Sequence, residues 1–221
     1  MRQRRANTGR RRTSFATLKG MQEFNGRSIW AVGRNYGAHA KELGNEVPDS
    51  PMIFLKSGAT AVPAGVVQLP DFSSDVHHEV ELALRFGADF QFDAVGVALD
   101  LTARDLQNVL KEKKHPWTLA KSFRGSCPLS GFRPIQLERN QQFRVQLWIN
   151  DVLRQDGHTK DLIFQPEVLR EHVLRHFPVE PGDVLLTGTP SGVAKLEPGD
   201  RARARVTLNA SWTVEAEWSF T

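Results

Sequence analysis

A β-rich mixed α/β fold, a sandwich or roll of short strands with a few interposed helices, is predicted by three features of this sequence. Short apolar runs recur along the chain, each closed by Gly, Pro or an Asn-Asp pair. Helical spacing is confined to a few brief segments. Strands and helices do not alternate in the regular order that a doubly wound parallel sheet requires.

Taken in order, Ile29 to Val32 reads as a strand turning at Gly33, and Tyr36 to Leu43 as a short helix closed by Gly44. Met52 to Lys56 and Val66 to Leu69 read as strands, the second stopped by Pro70. His78 to Phe86 alternates as a strand, and Val95 to Leu99 supplies another. Thr102 and Asp105 are expected to cap a helix that turns Leu106, Val109 and Leu110 inward. Phe143 to Ile149 alternates, and Asn150-Asp151 is a hairpin signal before Val152 and Leu153. Pro166 opens a helix whose apolar residues are Val168, Leu169, Val173, Leu174 and Phe177. Val184 to Thr187, Arg203 to Leu208 and Ser211 to Trp218 close the list of strands, with Pro-Gly-Asp turns at 181–183 and 198–200.

The 221 residues suit one sizeable domain, and 40% hydrophobic with 24% charged residues is the balance of a globular protein. No apolar run approaches the ~20 residues that a membrane-spanning helix needs. The net charge of +4 is unevenly spread. Residues 1–20 hold seven basic side chains and no acid, so residues 21–221 carry 22 basic against 25 acidic groups, a net −3. Residues 1–20 are therefore expected to be a disordered basic tail, and 21–221 a single catalytic domain. An Arg-rich, Ser/Thr-containing leader fits a mitochondrial transit peptide, an arm for nucleic acid or an anionic membrane, or residues upstream of a start at Met21. The lone Cys127 excludes an internal disulfide and makes a reducing compartment, the cytoplasm, the default.

The sharpest chemical feature is His77-His78-Glu79-Val80-Glu81-Leu82. On a strand Glu79 and Glu81 share a face. Two carboxylates about 6 to 7 Å apart repel by roughly 2 to 3 kcal/mol at an effective dielectric near 20, so a buried pair calls for a cation between them. A hard divalent ion meets that need, whereas on a solvent-facing edge strand the pair would simply be hydrated. Asp100, at the end of a strand and before a helix, is either a third acid converging on the same point or a helix cap. His77 has the strand parity of both glutamates and is either a further ligand or, the commoner role of a His near a carboxylate, an ordinary hydrogen-bonding residue.

His39 and Glu42 fall at i and i+3 of the short helix, the adjacency by which a carboxylate orients an imidazole as a general base toward water; a surface pair has the same spacing. Lys121, between apolar neighbours, needs an anionic partner such as a substrate carboxylate or enolate, or else reaches out to solvent. Thr187-Gly188-Thr189-Pro190-Ser191-Gly192 offers backbone N–H groups and hydroxyls to an anion without the ending of a P-loop.

In order along the chain, several motifs together resemble the fumarylacetoacetate hydrolase family. They are Gly33-Arg34-Asn35-Tyr36 with His39 and Glu42, Phe54-Leu55-Lys56, His78-Glu79-Val80-Glu81-Leu82, and Asp100-Leu101-Thr102-Ala103-Arg104-Asp105-Leu106-Gln107. Pro116-Trp117 with Ala120-Lys121-Ser122-Phe123 follows, then Pro181-Gly182-Asp183 through Thr187-Gly188-Thr189-Pro190-Ser191-Gly192-Val193. Ser126-Cys127-Pro128-Leu129-Ser130-Gly131-Phe132 is most similar to the small acylpyruvase and oxaloacetate decarboxylase or tautomerase branch. The resemblance implies a mixed β-sandwich roll, usually a homodimer, with Mg2+ or Mn2+ held by Glu79, Glu81 and Asp100. It implies that His39 and Glu42 activate water and that Lys121, Gln107, Arg34 and Thr189 hold a small 2-oxo acid. The expected activity is hydrolysis of acylpyruvates to pyruvate and a carboxylic acid. Oxaloacetate decarboxylation or keto–enol tautomerisation, or isomerisation and decarboxylation in aromatic catabolism, are the alternatives. The Gly87 to Ala94 segment is shorter than in similar sequences, which either displaces Asp100 or only trims a surface loop.

Overall fold

The structure, a computed structural model, describes residues 21–37 and 48–221. The basic tail, His39, Glu42 and nearly all of the helix expected from Tyr36 lie outside the described residues. In chain order the strands are β1 (Ser28–Gly33), β2 (Met52–Ser57), β3 (Ala61–Val62), β4 (Gly65–Val67), β5 (Val76–His78), β6 (Val80–Phe86), β7 (Phe92–Leu99) and β8 (Thr102–Ala103). They continue with β9 (Cys127–Pro128), β10 (Arg133–Pro134), β11 (Arg144–Ile149), β12 (Val152–His158), β13 (Val184–Leu186), β14 (Ala194–Lys195), β15 (Arg201–Asn209) and β16 (Trp212–Phe220). Among the described residues the α-helices are α1 (Arg104–Glu112), α2 (Thr118–Lys121) and α3 (Pro166–His176).

Two larger sheets form the body, one ordered β10-β7-β6-β13-β1-β2 and the other β12-β11-β15-β16-β4. Mixed pairing, parallel between β1 and β13 and antiparallel between β6 and β7, agrees with the expected sandwich roll. Both faces of the first sheet are covered. Val80, Leu82 and Leu84 pack with Leu147, Val206 and Trp218 of the second sheet, while Ala83 and Ala98 pack with Cys127, Leu129 and Phe132 on the opposite face. A fully buried Leu or Val contributes roughly 1.5–3 kcal/mol, and this double burial explains why β6 is apolar at nearly every position except Glu81 and Arg85.

The turns follow their local chemistry. Asn150 and Asp151 take φ of 50° and 65°, the left-handed pair that a tight hairpin between β11 and β12 requires. The 87–91 connection is a tight turn closed by Gly87 N–H donating to the Gln91 carbonyl at 2.7 Å. The β6–β7 register stays regular from Val80 opposite Leu99 to Arg85 opposite Ala94, so the short connection leaves the Asp100 end of β7 in place.

The helices depart from expectation. In α1, Val109 is exposed, and the buried residues are Arg104 and Gln107. This helix covers a polar cavity, so its polar stripe faces inward. Its N-cap residue is Ala103, which makes no side-chain cap. Thr102 instead donates to the Asp100 carbonyl, and Asp105 accepts from Leu106 N–H and from the Ser73 hydroxyl. In α3, Leu169 and Val173 are buried at i and i+4, which leaves Val168 on the helix flank and exposed. Among the described residues, no helix is long and apolar enough to cross a membrane.

Candidate metal centre

Antiparallel register brings the acids together. Val80 lies opposite Leu99, which sets Glu79 opposite Asp100, and the Asp100 N–H donates to the Glu79 carbonyl at 2.8 Å. Glu81, two residues from Glu79, points to the same face. One carboxylate oxygen from each of Glu79, Glu81 and Asp100 lies within 4.8 Å of the others, and all three side chains are buried. The edge-strand reading of the glutamates and the helix-cap reading of Asp100 are both set aside by this convergence.

His77 does not join them. The chain breaks between β5 and β6 at Glu79, so strand parity is not carried across, and His77 Nε2 pairs with Asp75 at 2.8 Å.

Among the described residues, three cations pair with these acids. Lys121 Nζ donates to Glu79 Oε2 at 2.8 Å, to Asp100 Oδ2 at 2.6 Å and to the Thr102 hydroxyl at 2.6 Å. Lys56 Nζ donates to Asp100 Oδ1 at 2.7 Å and to the Lys121 carbonyl. Arg104 pairs through Nη2 with Glu79 Oε1 and donates through Nη1 to Gln107 at 2.6 Å. Burial alone would lower the Lys121 pKa, but Asp100 and Glu79 outweigh it and hold the ammonium above the usual lysine range. Glu81 keeps a smaller share of the positive charge. Burial first, then Asp100 and Glu79, push its carboxyl well above the usual range, against the pull of Lys121 and the Gly188 N–H that donates to it at 2.6 Å. That N–H belongs to the 187–192 turn, where Gly188 at φ +95° passes so close to Asn35 that a Cβ would lie 2.8 Å from the Asn35 Cβ.

The donor set fits a divalent ion. Three buried carboxylates are hard oxygen ligands, so Glu79, Glu81 and Asp100 would hold the ion, and the Lys121 ammonium already brings a positive charge between Glu79 and Asp100.

A cavity opens over the acids. Arg34, Gln107, Lys121 and Thr189, each expected at a binding site, line it together with Glu79, Glu81 and Asp100. Arg104, Lys111, Phe54 and Trp117 complete much of its wall. Burial first, then the charges of Arg104, Arg34 and Lys121, lower the Lys111 pKa, which marks the wall as electropositive. Lys56 and Arg104 had no role assigned from sequence. Strand parity with Met52 and Phe54, which face the cavity, was the available signal for Lys56, and the i, i+3 spacing of Arg104 and Gln107 was the signal for Arg104.

Together the fold and the site define a mixed-sheet roll with a candidate divalent-metal centre beside a cation-lined cavity. The family model described as fumarylacetoacetate (FAA) hydrolase C-terminal matches residues 28–217, and the chain belongs to this enzyme family. It is 39% identical over 196 residues to "Oxaloacetate decarboxylase, mitochondrial" of Dictyostelium discoideum, covering 82% of this chain and 89% of that protein. It is 37% identical over 205 residues to "Oxaloacetate tautomerase FAHD1, mitochondrial" of Homo sapiens, covering 87% and 92%. The crystal structure of fumarylpyruvate hydrolase from Pseudomonas aeruginosa in complex with Mn2+ and pyruvate superposes with a TM-score of 0.84 at 28% identity, covering 93% and 94%.

Proposed function

We propose that this enzyme interconverts the keto and enol forms of oxaloacetate and releases CO2 from the same substrate, using Mg2+ or Mn2+ at Glu79, Glu81 and Asp100. The observation that carries the proposal is the meeting of three buried carboxylates with Lys121 at the floor of a cation-walled cavity. The names of the decarboxylase and tautomerase relatives favour oxaloacetate over acylpyruvates.

Bound there, a divalent ion supplies a Lewis acid for the oxygens of a 2-oxo acid. Lys121 lines the cavity beside the acids and places a positive charge near the oxygen on which negative charge would develop. Arg34 and Gln107 line the cavity where the second carboxylate of a dicarboxylate would lie, and Thr189 adds a hydroxyl. In the tautomer exchange a proton leaves C3 and another arrives at the C2 oxygen. In decarboxylation the C3–C4 bond breaks, CO2 departs, and the electron pair enters the C2 carbonyl. His39 with Glu42 is assigned the proton transfer to and from carbon.

A second reading, hydrolysis of an acylpyruvate by water that His39 and Glu42 activate, is favoured by the likeness to the Mn2+ and pyruvate complex of fumarylpyruvate hydrolase. Turnover of enol-oxaloacetate, keto-oxaloacetate and acetylpyruvate should be compared on one Mn2+-loaded preparation. Enol loss faster than acetylpyruvate cleavage, abolished by EDTA and restored by Mn2+, is expected. Faster acetylpyruvate cleavage, or activity indifferent to EDTA, overturns the proposal. The mitochondrial names of the two relatives favour the organelle over the cytoplasm for this chain. Deleting residues 1–20 is expected to leave turnover intact; a salt-sensitive binding activity lost with them would support the nucleic-acid or membrane alternative.

A further inference from the structure

Gln155 reaches the site from the other sheet. It lies on β12, 1% exposed, between the exposed Arg154 and Asp156. The β11–β12 pairing slips here, with Leu147 opposite Gln155 but Trp148 opposite Leu153, so Arg154 is the extra residue of a bulge. The 187–192 turn crosses that bulge so closely that a Cβ on Gly192, at φ +95°, would lie 2.0 Å from the Arg154 carbonyl oxygen. The bulge thus aims Gln155 beneath the turn that carries Thr189.

Its amide has one possible orientation. Oε1 faces the Val80 N–H at 3.1 Å, which can only donate, and His78 Nδ1 at 3.0 Å, which donates as its N–H tautomer; Nε2 faces the Pro190 carbonyl at 2.8 Å, which can only accept. The second Nε2 hydrogen points at the Thr189 hydroxyl, 2.8 Å away. Thr189 must therefore accept from Gln155. A hydroxyl has a single proton, so that of Thr189 is directed away from the amide, and the residue lines the cavity with Arg34 and Lys121.

We propose that Gln155 is a positioning residue that fixes the Thr189 hydroxyl as a hydrogen-bond donor to an anionic oxygen of the substrate. The inference rests on the cavity being the substrate site. Gln155 carries no charge and no ligand oxygen of the acid triad, so it acts on the organic anion and not on the metal.

Gln155→Glu tests this. An ionised Glu only accepts, and a neutral one has a single O–H, which Pro190 requires; in both states Thr189 turns its proton back to residue 155. Pyruvate is the probe, titrated by calorimetry into Mn2+-loaded protein, with Mn2+ affinity measured separately. Gln155→Glu is expected to weaken pyruvate binding about tenfold, the scale of one hydrogen bond to a charged group, with Mn2+ affinity unchanged. Thr189→Val should give the same loss, Thr189→Ser should not, and the double variant Gln155→Glu/Thr189→Val should be no worse than either single one. Normal pyruvate affinity in Gln155→Glu beside a loss in Thr189→Val overturns the role of Gln155 and leaves Thr189 as a substrate contact. No loss in Thr189→Val removes Thr189 from the site, and the inference with it. An equal loss of Mn2+ affinity in Gln155→Glu shows a scaffold effect and overturns the proposal. Should Gln155→Glu fail to fold, Gln155→Met, which leaves the Thr189 hydroxyl without its donor and free to rotate, replaces it: a smaller loss of pyruvate affinity, absent when Thr189 is already Val, supports the proposal, and unchanged affinity overturns it.

Discussion

Asp183, at the entry to β13, and the group of Glu79, Glu81 and Asp100 are buried carboxylates served by the same six-stranded sheet, yet they are satisfied by opposite means. Asp183 accepts from four N–H groups: Arg27 and Ser28 backbone at 3.2 and 3.0 Å, the Trp30 indole at 3.2 Å and Glu180 backbone at 3.1 Å. Those donors are parts of the chain path and have nowhere else to go. The triad is met mainly by Lys56, Lys121 and Arg104, which sit at the ends of long side chains. Fixed dipoles make a carboxylate part of the scaffold, while exchangeable cations leave it able to take an ion. A buried charge is read by what neutralises it.

The strongest test of the contrast is Glu81→Gln. Mn2+ affinity should fall by about 100-fold or more, as for loss of one of three charged ligands, while the melting temperature of the metal-free protein holds or rises because the repulsion from Asp100 and Glu79 is gone. Calorimetric titration and scanning calorimetry give both values, and a fall of several degrees would make Glu81 structural like Asp183. Asp183→Asn should do the reverse. Its amide would turn N–H groups toward Trp30 or Glu180, costing about 2 to 3 kcal/mol in urea unfolding with Mn2+ affinity preserved. If metal affinity collapsed with it, the two centres would be one unit.

Lys121→Met sharpens the exchange of cations. The metal-free melting temperature should drop by about 4 °C, the scale of 1 to 2 kcal/mol in a chain of this size, and Mn2+ should raise it by more than in the parent protein. An equal rise in both would show that lysine and metal do not compete. The smallest effect concerns Cys127, whose thiol is pushed up to about 12 by burial first, with Asp100 and Glu81 adding to it against Lys56. Iodoacetamide at pH 8 should leave it unlabelled with or without EDTA, since roughly one thiol in ten thousand would be ionised. Labelling that appeared on metal removal would mean the site opens widely without its ion.

Much of the site is legible along the chain. Glu79 and Glu81 share a face by period two, Asp100 ends the next strand, and antiparallel pairing through a short turn is enough to oppose it to Glu79. The apolar runs of β6, β7 and β13 were readable as strands for the same reason, since burial on both faces leaves few polar positions. Elsewhere a neighbour decided between readings or against one. His77 lost its parity at the break before β6 and turned to Asp75. Val109 was expected inward because apolar residues usually are, but α1 roofs a charged cavity and buries Arg104 and Gln107. Gln155 carried no local signal, because its partners His78, Val80, Thr189 and Pro190 come from distant parts of the chain.

By itself the sequence determined the strand-rich architecture, the acids of the candidate metal centre and the motifs of its family, since these depend on period, turn chemistry and residue type within short spans. Tertiary structure alone decided which cations answer those acids, which face of α1 is buried and which way the Thr189 proton points. Each of these is an electrostatic or hydrogen-bonding choice among groups far apart in the chain, and such a choice exists only once packing has removed the water that would otherwise satisfy them.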